Sequence, residues 1–319
     1  MVGVLAATGC DVARYDVPPK PVPSSPVFCP TQFLMETTLL AEHLAPARPL
    51  PAYPTLRESW AIVGWYLLAA LVVGGGCYAL LRYATSLPRV QLMMASTMAA
   101  NVALLLFLRW KAGLRWQPWQ LVGQARAWHF AVLPVVVLAS LQVRSLVEFL
   151  QLPDSMTKDF EELSRHIGVA LLTLAVAAPV LEELLFRGVI LNGLLRNRRP
   201  WVAIGQSALL FGLIHFNPAQ SVSAGLLGVL LGWLYYRTRS LGLCIALHAI
   251  NNGLGFAAMR WAPASWQHAD KLWELYPSAA HYTGAVALSA AVLGAYVRGV
   301  VRSTVVDAAQ YGCEVAAAG

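Results

Sequence analysis

From about residue 56 onward the chain alternates between long apolar runs and short polar or basic breaks, a pattern that predicts helices crossing a bilayer. A spanning helix needs roughly 20 predominantly apolar residues. Eight stretches approach that length: 60–81, 91–108, 128–141, 167–195, 201–216, 222–236, 241–259 and 282–301. The third is short and carries Pro134. Glycines at 74–76 and at 225, 228 and 232 fall inside these runs, where small residues let helix backbones approach closely, so they are read as packing positions. The expected fold class is all-α: a polytopic membrane helix bundle of about eight transmembrane helices. No internal repeat is visible.

The same pattern divides the chain. Residues 1–55 form a proline-rich lead, including Pro18-Pro19-Lys20-Pro21-Val22-Pro23, whose composition favours an extended or disordered tail. Its mildly apolar opening, 2–9, ends at Cys10 but has no basic flank, so it is read as tail rather than as a leader. Residues 56–150 hold the first three helices, 165–260 a helical core, 261–301 a loop and the last helix, and 302–319 a polar tail.

Composition strengthens this picture. The 319 residues are 58% hydrophobic and only 12% charged, against about 25% charged in a typical soluble domain. The formal charge of +7 raises the question of nucleic acid, but no basic patch is interleaved with stacking aromatics on a soluble domain. The basic residues lie instead in short loops beside the apolar runs. Arg109, Lys111, Arg115 and Arg126, then Arg196, Arg198 and Arg199, then Arg237 and Arg239 follow the second, fourth and sixth runs, and Arg302 follows the last. The opposite loops carry Arg82 and Arg89 and a mixed acidic stretch from Asp154 to Arg165. The positive-inside rule therefore puts both termini in the cytoplasm. The five cysteines are scattered, without a C-x-x-C pair, so neither a disulfide framework nor a zinc finger is expected.

Against this background, a few polar residues stand out. Glu182, Glu183 and Arg187 sit inside the apolar run 167–195. A charged group at bilayer depth costs at least ~2.5 kcal/mol and faces the protein interior or a water-filled cavity, so by default it marks a functional site. Glu183 and Arg187 are four residues apart and share a helix face, so they are expected to pair. Glu182 is rotated by roughly 100° and stays free for another partner. His215 lies near the end of the fifth run, and His248 and Asn252, four apart on one helix face, lie in the seventh.

Depth decides whether these groups can meet. At 1.5 Å per residue, Glu182 lies ~20 Å from Leu195, His215 ~21 Å from Trp201, and His248 and Asn252 ~10 and ~16 Å from Leu241. In a ~30 Å hydrocarbon core all four straddle the middle. An ion-pair knot holding helices together, a non-enzymatic immunity or scaffold protein, and a proton relay or transporter would each use buried carboxylates too. A transporter would favour inverted repeats, which the sequence does not display.

Taken together, Glu182-Glu183-x-x-x-Arg187, Phe211-x-x-x-His215 and His248-x-x-x-Asn252 resemble the three-motif signature of the CPBP family, the CAAX-prenyl-protease-like and bacteriocin-processing intramembrane proteases that include the type II CAAX endopeptidases. The flanks Ala178-Pro179 and Phe186-Arg187-Gly188 look like its bacterial branch, and the resemblance covers about 165–260. It implies an intramembrane endopeptidase hydrolysing a peptide bond of a membrane-embedded or membrane-associated peptide or protein. By that resemblance Glu182 would activate the water, Arg187 would hold Glu183, His215 would help position the water, and His248 and Asn252 would stabilise the oxyanion. It further implies a multi-pass protein of a bacterial cytoplasmic membrane, with the bilayer and the substrate as partners and no nucleic acid. No cofactor is expected; the alternative is Zn2+ held by Glu182, His215 and His248, a set matching His2Glu zinc chemistry.

Overall fold

The computed structural model describes residues 51–153, 162, 165–263, 266 and 271–306. Almost all of the lead segment, the acidic stretch 154–161 and the tail beyond 306 lie outside the described residues, and with them the expectations placed there.

Among the described residues the fold is all-helical, with eight principal helices: α1 (Leu56–Ala84), α2 (Arg89–Arg115), α3 (Leu133–Leu150), α4 (Ile167–Asn197), α5 (Pro200–Leu213), α6 (Pro218–Thr238), α7 (Leu241–Trp261) and α8 (Ala279–Ser303). Their boundaries follow from local chemistry. Thr55 caps α1 in a reciprocal box with Glu58, and Ser240 and Ser278 cap α7 and α8. Pro134, Pro200 and Pro218 stand in the first turns of α3, α5 and α6, where the missing N–H has no intrahelical partner to lose. Pro134 thus starts α3 rather than interrupting it, and residues 127–131 form a separate short helix. Beyond the expected end at 141, α3 runs on through a 3-10 segment to Leu150.

Six of the helices are long and apolar enough to cross a membrane; α5 and α6 are not among them. With 14 residues, α5 reaches only ~21 Å, short of a ~30 Å core. The 21 residues of α6 are long enough, but its first turns carry Gln220, Ser221 and Ser223. The two pack closely on each other as a helical hairpin. Gly228 and Gly232 of α6 come so near Ala208 and Ile204 of α5 that an added Cβ would lie 3.1–3.2 Å from them. Gly74 packs against α2, while Gly75 and Gly76 have open space around them.

At the centre of the packing is α4: Phe186, Ile190, Leu191, Leu194 and Leu195 are buried against Leu108, Ile204, Phe211, Leu231 and Leu247. It contains two π-helical segments, Leu171–Ala177 and Leu184–Leu191. Such segments are often found at functional sites, and here they flank the glutamates. The outer faces of α1 and α8 expose Leu67, Leu68, Leu71, Val72 and Leu288, as expected of surfaces turned to lipid.

One end of the bundle gathers the basic loops and both described chain ends. Tyr53 N–H donates to the Arg115 carbonyl. Arg115 pairs bidentately with Glu58 at 2.8 Å, and Asn197 donates to the carbonyl of Ala52. Gln124 bonds Thr238 and Val305, and Arg237 donates to the carbonyl of Thr304. Gly123, with φ of +54°, makes this possible, because an added Cβ would lie 2.3 Å from the Thr238 carbonyl oxygen.

Candidate active site

Five elements, α3 to α7, converge on a cavity of about 400 Å3 lined by Glu182, His215, His248, Asn251 and Asn252, with Leu141, Leu174, Phe211, Phe256 and Met259 among its apolar walls. Glu182 and Glu183 sit where α4 passes from α-helix into its second π segment. The Glu183 side chain is fully buried, whereas that of Glu182 is 20% exposed and borders the cavity.

Glu183 is held on two sides. Arg187 Nη1 donates to its Oε1 at 2.9 Å, and His248 Nδ1 donates to the same oxygen at 2.8 Å. Arg187 in turn donates from Nη2 to the Gly228 carbonyl and lies 4.7 Å over the Phe211 ring. That ring also meets the imidazoles of His215 and His248 edge to face. Phe211 is therefore an apolar wedge around which the cation and both histidines are ordered, a contact favoured when desolvated.

The tautomers follow from the partners. A carboxylate oxygen only accepts, so Nδ1 of His248 carries hydrogen, and its Nε2 faces Glu182 Oε2 at 3.8 Å. His215 sits in the turn just past α5, and its Nδ1 donates to the Phe211 carbonyl at 2.7 Å. When neutral, its Nε2 is an acceptor. Asn252 donates from Nδ2 to the Leu174 carbonyl at 3.0 Å and accepts from Asn251 Nδ2 at 3.1 Å. That leaves one Nδ2 hydrogen of Asn252 uncommitted.

The six residues singled out from the sequence thus fall in one neighbourhood: Glu182, His215, His248 and Asn252 on the cavity, Glu183 and Arg187 behind it. Four polar cavity-lining residues were not anticipated: Arg144, Gln220, Ser223 and Asn251. Arg144 lies beyond the expected end of the third run, and only a window extended over Ser145–Leu150 would have placed it inside an apolar helix.

Among the described residues no three His, Cys, Asp or Glu side chains are placed to hold a metal ion. Cys244, four residues before His248, is buried away from the cavity, with its thiol directed at the Leu231 carbonyl.

An all-helical bundle whose apolar helices are long enough to cross a membrane encloses a buried acid–base cluster. Residues 165–254 match the family model described as type II CAAX prenyl endopeptidase Rce1-like, a match that supports a CPBP/CAAX-protease-like family. The matched segment spans α4 to α7 and carries all six residues. No curated protein and no solved structure matches the chain.

Proposed function

We propose that the protein is an intramembrane endopeptidase in which Glu182 activates water. The observation that carries this reading is the unequal treatment of two adjacent carboxylates: Glu183 is locked by Arg187 and His248, while Glu182 borders the cavity without a hydrogen bond among the described residues. One carboxylate fixes the site, and the other is available for chemistry.

In this mechanism a water lies between Glu182 and Nε2 of His215. Glu182 takes its proton as general base while the hydroxide attacks the scissile carbonyl carbon. The negative charge passes to the carbonyl oxygen, where the uncommitted Nδ2 hydrogen of Asn252 donates to it. Because Nδ1 of His248 is already engaged with Glu183, His248 donates to the oxyanion only from Nε2, in its doubly protonated form. Glu182 then delivers the proton to the departing amine, closing the balance: one water consumed, one carboxyl and one amine formed. No step requires a metal; zinc dependence is the alternative that a chelator tests.

The substrate is proposed to be a membrane-embedded or membrane-associated peptide or protein, and the site of action a cytoplasmic membrane, bacterial in the reading of the family flanks. Six crossings and eight are both even, so either count returns the two described ends to one side. The loops clustered there are the arginine-rich ones, which supports a cytoplasmic placement of that end. Hydrolysis of a membrane peptide in heavy-oxygen water tests the reading. The label is expected in the new carboxyl group, with no loss of rate on adding chelator; unlabelled product, or a rate abolished by chelator and restored by zinc, would overturn the mechanism.

A further inference from the structure

Arg144 lies on α3, outside the family-matched segment, and lines the same cavity as Glu182. Among the described residues its guanidinium has neutral partners only. Nη1 donates to the Ser223 hydroxyl at 2.9 Å and to the Ser223 carbonyl at 3.4 Å, and Nη2 donates to Asn251 Oδ1. Its Nε is buried with no hydrogen-bond partner among the described residues. Among the described residues no carboxylate forms an ion pair with it; the buried pair of the site belongs to Arg187 and Glu183.

A cation kept inside a membrane helix with only amide and hydroxyl partners is poorly compensated for its desolvation. An opposite charge arriving with a ligand would complete it. The guanidinium is a planar fork whose geometry suits carboxylates, and one of its Nη2 hydrogens remains uncommitted. The rest of the cavity is built for apolar side chains, with Leu141, Leu174, Phe256 and Met259 in its walls. The same cavity already holds Glu182, which disfavours a dianionic occupant such as phosphate.

We propose that Arg144 is a specificity-determining residue that binds a carboxylate of the peptide whose scissile bond is presented to Glu182. This rests on the endopeptidase reading above. Asn251, which Arg144 holds, is three residues after His248 on α7, ~4.5 Å along the helix axis. An extended peptide advances ~3.3 Å per residue, so the recognised carboxylate lies roughly one to three residues from the scissile bond. The carboxylate is either a free chain terminus or an acidic side chain.

The test is binding rather than turnover, in a Glu182→Gln background reconstituted in nanodiscs so that no probe is consumed. Three probes are compared: an N-acetylated apolar tetrapeptide as free acid, the same peptide as C-terminal amide, and an amide carrying one Glu side chain. At least one carboxylate probe is expected to bind ten times or more tighter than the neutral amide. Which of the two does so tells terminus from side chain. Adding Arg144→Gln should bring the ratio to near one, and Arg144→Lys should keep part of it, with thermal unfolding confirming that each variant is folded. Equal binding of all three probes, absence of binding included, or a preference that survives Arg144→Gln, overturns the proposal. Cleavage that persists in Glu182→Gln would instead sink the general-base mechanism and leave this ratio standing.

Discussion

Nδ1 of His248 and Nη1 of Arg187 donate to one and the same oxygen of Glu183, at 2.8 and 2.9 Å. Through that oxygen a residue on α7 is oriented by an ion pair internal to α4. The signature residue that touches no cavity wall is thereby tied to one that does.

This sharing predicts non-additive energetics. Glu183→Gln leaves the Arg187 guanidinium buried without its counter-charge, and breaking a buried pair this way costs ~3–5 kcal/mol. Arg187→Met should cost a similar amount. The double variant, which removes both charges, is expected to lose clearly less than the sum of the two. Denaturant unfolding in detergent measures all three; strict additivity would mean that the pair is not coupled.

Asn252→Ala removes the proposed oxyanion donor but only one ordinary hydrogen bond to α4. Loss of one preorganised donor costs ~3 kcal/mol in the transition state, on the order of a hundredfold in kcat. KM and the unfolding midpoint should move little. A variant that instead loses its fold with its activity would show Asn252 to be structural.

Close helix packing gives a prediction independent of the chemistry. A Cβ at Gly212 would lie 2.5 Å from the Ser221 carbonyl oxygen, whereas one at Gly76 meets nothing within 4 Å. Overpacking of this kind costs ~1–3 kcal/mol. Gly212→Ala should therefore lower the thermal midpoint, because it wedges the α5–α6 hairpin open, and Gly76→Ala should not.

At the basic end of the bundle His129 is buried, with Nδ1 accepting from the Arg126 N–H and Nε2 donating to Ser303 Oγ at 3.0 Å. Burial, and then the Arg126 charge, push its pKa below the ordinary 6.5. The folded state resists the proton that the unfolded chain takes up, so its contribution is full above pH 6.5 and is lost as pH falls towards the lower folded value. The thermal midpoint is expected to fall on acidification through that window, with the fall blunted in His129→Gln.

The apolar pattern was enough to find all eight helices, because each is a run long enough to stand out from its loops. Six of the eight are long and apolar enough to cross a membrane, while the 14-residue α5 and α6, with its polar first turns, pack together as a hairpin. Pro134, inside the expected third run, stands in the first turn of α3, a position where proline marks a helix start. At the site, the Glu183–Arg187 pairing was legible from its four-residue spacing on a single helix. The bond from His248 to Glu183 and the approach of Arg144 to Asn251 were not, because they depend on how α3, α4 and α7 pack, which no periodicity encodes.

The central claim is that Glu182, rather than its locked neighbour, is the base. Cleavage of a quenched peptide library in nanodiscs by the wild type and by Glu182→Gln, with and without chelator, addresses it directly. The account predicts a loss of at least a thousandfold on removing this one carboxylate, with unfolding unchanged and wild-type cleavage insensitive to chelator. Cleavage by Glu182→Gln at near the wild-type rate would contradict it.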